Sequence, residues 1–573
     1  MYERVNVAPQ QEEYDAIVVG SGITGGWAAK ELTEKGLNTL VLERGRYVEH
    51  GEDYITEHIN PWEMDHRGQG SEQEWTKEYP LQSKAGPVNA YNKHFFVKDS
   101  EHPYTFDEDT PFLWIRGYQL GGRSLTWGRQ CYRWSDLDFE ANARDGIAID
   151  WPIRYDEIKP WYDYVEEYAG ISGEKLGLPH LPDGPFQPPM AMNCVERDAR
   201  EAIEEAFPER VMTIGRTAIL TEAKPEHNRQ ACHYCGPCSR GCSIGGYFSS
   251  LSSTLPAARA TGNLTLRCDS IVHSVIYDPE TDRARGVRVI DRETKEEREF
   301  YGRVVFLCAS TLGSTKILLN STSSRFPNGL ANSSGALGKY LMDHHFKVGA
   351  SATFEGYEDQ YYFGNRPNGI YIPRFRNLNA QTEQSDFLRG YGYQGSAWRS
   401  SWARAIGQKG FGAELKETLR EPGPWRMNLN GFGEILPRED NYCELDPDTT
   451  DEWGLPALRF HTSLGANERA MRADVAEAAA EMLDAAGGTE IETYDNPYRF
   501  GEGIHEMGTA RMGRDPKTSV LNKWNQTWDV PNLFVTDGAC MTSAACQNPS
   551  ITYMALTARA VDYAVKEMNR GNL

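Results

Sequence analysis

Four cysteines within one short segment form the densest group of reactive side chains in the chain. Cys232, Cys235, Cys238 and Cys242 follow the spacing C-x2-C-x2-C-x3-C. Thiolates at two-residue spacing can wrap around one compact iron–sulfur cluster, and this spacing matches the bacterial ferredoxin run. Structural zinc usually draws on two cysteine pairs separated by a longer loop, so zinc is the weaker alternative, with free thiols or a local disulfide as the remaining ones. We therefore predict a 3Fe-4S or 4Fe-4S cluster, and leave open whether Cys242 is a ligand.

A glycine-rich turn close to the start of the chain is typical of a dinucleotide-binding site. The apolar run 16–19 precedes Gly20, Gly22 and Gly25, and a helical stretch follows them. A strand that ends in such a turn presents backbone N–H groups to an anion, and the missing side chains let a pyrophosphate approach closely. The next strand ends in Glu43, whose carboxylate can accept hydrogen bonds from ribose hydroxyls. A bare glycine pattern also occurs in loops by chance, but the flanking elements favour the dinucleotide site.

Strand signals far along the chain indicate where the rest of this nucleotide-binding unit comes from. Residues 304–310 read as an apolar strand that ends in small residues, and 270–277 and 286–290 read as two strands that precede it. Residues 532–538 again form a strand that ends in an acid and a glycine. We therefore expect one discontinuous domain that contains a β-meander, with Asp537 near the polar chain of the cofactor.

Four separated blocks resemble those of the glucose–methanol–choline (GMC) family of flavin oxidoreductases, and their order and spacing also match. The blocks are the first glycine turn with Glu43, the segments 120–124 and 505–513, and 548–550 after Asp537. The resemblance implies flavin-adenine dinucleotide (FAD), and the sequence around Glu43 resembles flavin enzymes more than nicotinamide ones. The implied cofactor-binding residues are Gly20, Gly22, Gly25, Glu43, Gly121, Gly122, Ser124, Thr126, Asp537, Gly538 and Asn548.

The resemblance also points to two catalytic residues, His505 and Asn548. A flavin takes a hydride, so the protein need only hold the alcohol carbon and remove its hydroxyl proton. Histidine, with an ordinary pKa of about 6.5, can accept that proton at neutral pH. An asparagine amide offers a donor and an acceptor that orient the same hydroxyl. His505 is therefore predicted to be the base and Asn548 the orienting group, whereas His344 and His345 are interpreted as structural.

One departure from the family pattern concerns how the flavin is held. In the pyranose 2-oxidase branch, which the pairing of His505 with Asn548 resembles, a histidine in the loop after the paired glycines is joined covalently to the flavin. Thr126 stands at the matching place here. Threonine cannot form that histidyl bond, so we expect non-covalent FAD.

The fold class that these observations predict is α/β with two domains. A Rossmann-like FAD-binding domain comprises the discontinuous segments 1–135, 230–345 and 500–573, and it includes the cysteine-rich loop 232–242. An α+β substrate-binding domain with a β-sheet comprises 136–229 and 346–499. The second domain carries many aromatic residues, which are candidates for stacking against a sugar ring: Tyr361, Tyr362, Phe363, Tyr371, Tyr391, Tyr393, Trp398 and Trp402.

Three functional hypotheses follow. In the first, the protein is an FAD-dependent sugar dehydrogenase similar to glucoside 3-dehydrogenases, which oxidises a secondary alcohol at carbon 3 to a keto-sugar and passes electrons through the iron–sulfur cluster to an external acceptor. The alternative is an oxygen-using pyranose or glycoside oxidase in which the cysteine cluster is structural. A third hypothesis, a flavin-binding sensor or carrier without alcohol chemistry, is disfavoured by the intact His505 and Asn548.

Charge and hydropathy restrict the partners. The formal net charge of -22 disfavours nucleic acid and anionic lipid, and we expect no apolar run long enough for direct membrane insertion. The family resemblance implies a small partner subunit and a cytochrome or other electron acceptor. Residues 1–13 lack the zones of a secretory signal peptide. We therefore expect either a periplasmic location, reached by co-export with a signal-bearing partner, or a cytoplasmic one.

Overall fold

The computed structural model describes residues 13–400 and 410–573. Trp402, one of the aromatic candidates above, lies outside the described residues. Within them the chain forms helices and strands that we number in chain order. The helices are α1 (Ile23–Glu34), α2 (Glu72–Glu78), α3 (Asp136–Phe139), α4 (Ala141–Asp145), α5 (Tyr155–Ala169), α6 (Cys194–Ala206), α7 (Leu255–Ala260), α8 (Thr311–Asn320), α9 (Gly412–Arg420), α10 (Ala466–Ala485) and α11 (Ser550–Asn569).

The strands are distributed over three sheets. They are β1 (Glu13–Val19), β2 (Thr39–Leu42), β3 (Thr105–Phe106), β4 (Thr213–Ile214), β5 (Leu264–Arg267), β6 (Ser270–Asp278), β7 (Arg283–Asp291), β8 (Glu297–Leu307), β9 (His344–His345), β10 (Val348–Phe354), β11 (Ile370–Ile372), β12 (Tyr391–Arg399), β13 (Trp425–Glu434), β14 (Tyr442–Thr450), β15 (Pro456–His461), β16 (Thr489–Asp495) and β17 (Leu533–Val535).

The first sheet has a parallel half in the order β5-β2-β1-β8-β17. Residues Ala16, Ile17 and Val18 of β1 have no exposed surface, as expected for a parallel strand that is covered on both faces. One face is covered by α1, which packs against α11, and α11 in turn packs against α5. This arrangement confirms the predicted Rossmann-like α/β fold.

The antiparallel half of the same sheet is the predicted β-meander β6-β7-β8. Strand β8 pairs with β7 over its first residues, Glu297–Tyr301, and with β17 over Val305–Leu307. The length of β8 therefore lets one strand join the meander to the parallel half. It also brings the end of β17, which comes from the last part of the chain, beside the ends of β1 and β8.

The second sheet is antiparallel, in the order β16-β10-β13-β12-β11-β4, with β9 paired to β13. Strand β13 alternates between buried and partly exposed residues. Its buried residues, such as Met427 and Leu429, share a core with Val475 and Met482 of α10. The opposite face carries the polar residues of the strand, because successive side chains point to opposite sides of a sheet.

Helix α5 packs in the hydrophobic core of the first sheet and not in that of the second. Residues Ile158, Tyr162 and Val165 of α5 belong to the same hydrophobic cluster as the strands of the first sheet. A third small sheet pairs β14 with β15, and β15 with β3.

The boundaries of the two domains stay a prediction. No helix among residues 13–400 and 410–573 combines the length and hydropathy that crossing a membrane requires.

Candidate active site

A cavity of about 950 Å³ lies between the carboxyl ends of β1 and β8 and the polar face of the second sheet. Its lining includes ten of the residues proposed from the sequence. Ligands of doubly wound sheets bind at the carboxyl ends of their parallel strands, so the cavity lies where the fold places a cofactor. The ten residues are Gly20, Gly22, Glu43, Gly122, Ser124, Thr126, His505, Asp537, Gly538 and Asn548.

The glycines of the first turn have different tasks. Gly20 has a φ of 96°, and a Cβ there would lie 2.5 Å from the carbonyl oxygen of Cys308. A Cβ on Gly25 would lie 1.9 Å from the carbonyl oxygen of Gly20, so Gly25 permits close packing of α1 on the turn. A Cβ on Gly22 would meet no protein atom within 4 Å. Gly22 therefore leaves open a space that a ligand can occupy.

A second glycine turn faces the first. Gly121 and Gly122 have φ values of 88° and 50°, and a Cβ on Gly122 would lie 3.4 Å from the Cα of Gly22. Gly121 lies behind the cavity wall, where its N–H donates to the hydroxyl of Ser21 over 3.0 Å. The hydroxyl of Ser124 donates to the carbonyl of Gly121 over 2.6 Å. These contacts hold the two turns together as one wall of the cavity.

Two buried carboxylates lie along this wall. Glu43 follows β2 and accepts hydrogen bonds from the hydroxyl of Ser21 over 2.5 Å and from the N–H of Gly45 over 2.9 Å. Asp537 follows β17 and accepts from the hydroxyl of Ser314 over 2.5 Å. Burial raises the pKa of both groups, that of Asp537 to about 6. Each carboxylate can still accept hydrogen bonds from a bound ligand, since each oxygen has two acceptor positions.

These features fit the FAD that the sequence predicts. The glycine turns offer a close backbone approach for the pyrophosphate, and Glu43 is available to the ribose. Thr126 lies in the same wall.

His505 and Asn548 meet in the cavity between the two sheets. The Nδ2 atom of Asn548 lies 3.3 Å from Nε2 of His505. On its other side, Oδ1 of Asn548 accepts a hydrogen bond of 2.6 Å from the side-chain amide of Gln394 on β12. The amide of Asn548 is thereby oriented with its N–H2 group toward His505.

A second histidine lies behind His505. The Nδ1 atoms of His344 and His505 are 3.0 Å apart, and the two rings meet edge to face. The carboxylate of Asp343 accepts the backbone N–H of His344 over 2.8 Å and that of His505 over 3.0 Å. Asp343 therefore fixes the separation of the two histidine backbones.

Burial is the main reason why both imidazoles of this pair are neutral. Burial lowers the pKa of His344 to about 4. Burial, followed by His344 and the Arg123 guanidinium, lowers the pKa of His505 well below its ordinary value. Arg123 is paired with Glu506, with 2.8 Å between Nη2 and Oε2. A neutral His505 has a free nitrogen lone pair and can act as a proton acceptor.

The cysteine segment lies outside the cavity lining, except for Ser239. All four cysteines are free thiols, and Cys235 is exposed. Within the part of the chain that the structure describes, no three His, Cys, Asp or Glu side chains are arranged to hold a metal ion. The structure therefore does not support the predicted iron–sulfur cluster.

Comparisons with known proteins agree with this geometry. Residues 14–346 and 437–557 match two family models described as GMC oxidoreductase. The chain belongs to the GMC oxidoreductase family. This GMC oxidoreductase is 30% identical to the 2-methyl-1,2-propanediol dehydrogenase of Mycolicibacterium austroafricanum, over 96% of this chain and 95% of that one. It is 26% identical to the fructose dehydrogenase large subunit of Gluconobacter japonicus, over 97% and 98%.

A solved structure has the same fold. Pyridoxine 4-oxidase from Mesorbium loti superposes with a TM-score of 0.61 and 17% identity, and the match covers 96% of this chain and 99% of that one. As a member of the family, the GMC oxidoreductase described here binds FAD and acts on CH–OH groups.

Sequence reasoning missed several residues around His505. Gln394, Asn428 and Asn430 line the cavity from the second sheet, and His344 contacts His505 although the sequence suggested only a packing role. The alternation along β13 was a usable signal for the two asparagines. None of the seven aromatic candidates within the described residues lines the cavity, and three of them, Tyr371, Tyr391 and Tyr393, are buried. Two other aromatic residues, Phe346 and Phe432, contribute to the lining.

Proposed function

We propose that this GMC oxidoreductase oxidises a secondary hydroxyl of a sugar or glycoside, at carbon 3, with His505 as the base. The observation that carries the proposal is the polar wall opposite the glycine turns. Gln394, Asn428, Asn430 and Asn368 line the cavity there with side-chain amides. An amide can donate to one hydroxyl and accept from another, so a wall of amides suits a substrate with several adjacent hydroxyls.

Contacts behind this wall orient its amides. Asn428 accepts the backbone N–H of Ser396 over 3.3 Å through Oδ1, and Asn430 accepts the hydroxyl of Tyr494 through Oδ1. Both asparagines therefore keep their N–H2 groups for a ligand. Asn368 donates to the carbonyl of Gly215 over 2.6 Å, and its buried Oδ1 has no partner in the structure. That oxygen is suited to accept a hydrogen bond from a hydroxyl group of the substrate.

The proton of the reacting hydroxyl passes to His505. FAD, when bound, would supply the acceptor for the hydride of the alcohol carbon. Nε2 of His505 accepts the hydroxyl proton, and the N–H2 group of Asn548, 3.3 Å from that nitrogen, donates to the hydroxyl oxygen and keeps it in reach. The second sheet forms the opposite wall of the cavity at this point. Thr126 in the cavity wall supports the proposal that the flavin is held without a covalent bond.

A separate proposal concerns the cysteines. We propose that Cys232, Cys235, Cys238 and Cys242 bind an iron–sulfur cluster when it is supplied during maturation; the support is their spacing, and no step of the oxidation above depends on it. Iron and sulfide analysis of protein produced with iron should give a stoichiometric cluster, and Cys238→Ser should lose it. Protein with full flavin and no iron would refute this proposal.

A partner subunit is also proposed. Large hydrophobic side chains are exposed on two loops that contact the cysteine segment: Arg240 donates to the carbonyl of Ile59, and the N–H of Asn365 donates to the carbonyl of Tyr234. The exposed residues of these loops are Ile55, Trp62, Tyr361, Tyr362 and Phe363. Exposed apolar groups of this size are typical of an association surface. The relative named as a large subunit supports the same proposal.

An anaerobic reaction tests the proposed oxidation. The holoenzyme is mixed with methyl glucoside, the flavin absorbance is recorded, and the product is examined by NMR. We expect the flavin band to bleach and a 3-keto product to form. Turnover with a dye acceptor that exceeds turnover with oxygen supports a dehydrogenase, and the reverse supports the oxidase. A flavin that no sugar or glycoside reduces would contradict the proposal.

A further inference from the structure

His344 occupies a fully buried position between His505 and the backbone. Its ring has 0% exposure, and each of its two nitrogens lies within hydrogen-bond distance of another group. Nε2 lies 3.2 Å from the carbonyl oxygen of Ala544, and Nδ1 lies 3.0 Å from Nδ1 of His505. The residue stands on β9, which pairs with β13, so its backbone is held by the second sheet.

The chemistry of these neighbours determines where the protons are. A carbonyl oxygen has no proton, so Nε2 of His344 must carry the hydrogen of that bond. A neutral imidazole carries one N–H, which leaves Nδ1 of His344 as an acceptor. Its contact with Nδ1 of His505 is then a hydrogen bond only if the His505 nitrogen carries the proton. Nε2 of His505 is therefore the nitrogen with the free lone pair.

We infer that His344 is a positioning residue that holds His505 in the tautomer whose Nε2 lone pair faces the cavity. The inference rests on the proposed function of His505 as the base, and it explains why that function needs a second histidine. In the opposite tautomer, two Nδ1 lone pairs would face each other at 3.0 Å. The Nε2 atom would then carry a hydrogen and could not accept the proton of the alcohol.

The groups around the two histidines are themselves held in place. The Ala544 backbone is itself fixed, because its N–H donates to Glu434 over 3.3 Å. Asp343 is held by the hydroxyl of Tyr498 over 2.8 Å and by the N–H of Gly503 over 3.0 Å. The other charged groups near the pair are Arg123 and Glu506, which neutralise each other. Burial lowers the pKa of His344 to about 4, so its Nδ1 remains an acceptor at neutral pH.

NMR of the holoenzyme labelled with 15N-histidine tests the inference without any reaction. Long-range 1H–15N correlations distinguish the two neutral tautomers, and the His505 signals are identified by their loss in His505→Ala. We expect His505 to carry its proton on Nδ1 in the wild type. In His344→Leu we expect this preference to weaken, because the acceptor is gone. A wild-type His505 protonated on Nε2 would overturn the inference.

Kinetics of two variants provide the second test. Leucine fills the space of His344 without an acceptor, whereas the Oδ1 atom of asparagine can take the place of Nδ1. Per bound flavin, we expect His344→Leu to lower kcat by about 100-fold at unchanged KM, within the range that a positioned base contributes. His344→Asn should recover most of that loss. Equal kcat values in the wild type and in His344→Leu would overturn the inference.

His345 offers a matched control. It is the adjacent residue and equally buried, but its Nε2 contacts the sulfur of Met471 at 3.3 Å on the opposite side of the strand. His345→Leu should keep kcat per bound flavin and the His505 tautomer.

Should His505→Ala retain wild-type turnover, the proposed function fails, while the NMR result still decides the position of the proton.

Discussion

Gln394 donates a hydrogen bond of 2.6 Å to Oδ1 of Asn548, across the boundary between the antiparallel sheet and the start of α11. The oxygen and nitrogen of an amide are on opposite sides of the group, so this bond decides which of them faces His505. A strand of the antiparallel sheet thus orients a residue that lies just before α11 in the chain.

Removing this donor should reduce activity without removing the cofactor. In Gln394→Leu the Asn548 amide can rotate and present its oxygen to His505, and we expect kcat/KM to fall about 10-fold, equivalent to about 1.4 kcal/mol and to the loss of one hydrogen bond. Steady-state kinetics of the purified holoenzyme measure this change. Ser396→Ala, two residues along the same strand and also in the cavity lining, is the control and should change kcat/KM less than twofold.

Replacing His505 should stop the reductive half-reaction. We expect the rate of flavin reduction by substrate in His505→Ala to fall by about 10²- to 10⁴-fold, the usual contribution of a positioned base. Stopped-flow absorbance under anaerobic conditions measures this rate. His273 also lines the cavity, from β6, and His273→Ala should keep the rate per bound flavin. A comparable loss in both variants would argue against a specific role for His505.

Gly22 tests where the cofactor lies. A side chain at this position meets no protein atom within 4 Å, and the φ of -65° is accessible to other residues. We expect Gly22→Val to fold and to keep the thermal midpoint of the wild-type apoprotein, but to lose most of its FAD because the side chain fills the ligand space. Flavin absorbance relative to protein measures the loss. Full flavin occupancy in Gly22→Val would place the cofactor elsewhere.

The flavin should be released when the protein unfolds. Since Thr126 cannot form a histidyl bond to the ring, acid precipitation should leave the yellow colour in the supernatant. Absorbance and mass spectrometry of the two fractions measure this directly. Flavin that stays with the precipitated chain would show a covalent bond to some other residue.

Buried His344 should make folding stability depend on pH. Its pKa is about 4 in the folded protein and about 6.5 when unfolded, so the unfolded chain binds the extra proton between these values. Neutral His344 therefore contributes to the free energy of unfolding above pH 6.5, and this contribution is lost as the pH falls toward 4. The total loss is about 3 kcal/mol. Burial and Glu506 raise the pKa of Asp343 to about 7. The contribution of protonated Asp343 to folding stability therefore has the opposite pH dependence, and it is lost as the pH rises through 7.

A comparison of two proteins separates these contributions. Asp343 is present in both the wild type and His344→Asn, so its effect cancels in their difference. We expect the stability advantage of the wild type over His344→Asn to be larger at pH 7 than at pH 4.5. Urea denaturation at both values measures the difference. An advantage that grows as the pH falls would mean that His344 is protonated in the folded state.

Much of the fold follows from local sequence. The apolar run of β1, the glycine turn and the helix α1 are adjacent in the chain, and their order alone predicts a strand, a turn and a helix. The meander β6-β7-β8 and the long helix α11 are also recognisable, because each has its own period and its own turn residues. Gly22, Glu43 and Asp537 could be proposed for the same reason, since each lies within three residues after the end of a strand.

The contacts that give the site its chemistry are decided only by the tertiary structure. His344 and His505 are 161 residues apart, and Gln394 and Asn548 are 154 apart, so no local pattern relates them. The alternation in β13 indicates two faces, but only the packing of α10 on one of them leaves the other for the cavity. The cysteine spacing likewise predicts a cluster, whereas the positions of the thiols depend on how the segment folds. Sequence spacing determines which residues share a strand or a turn, and the packing of distant elements determines which of their side chains meet.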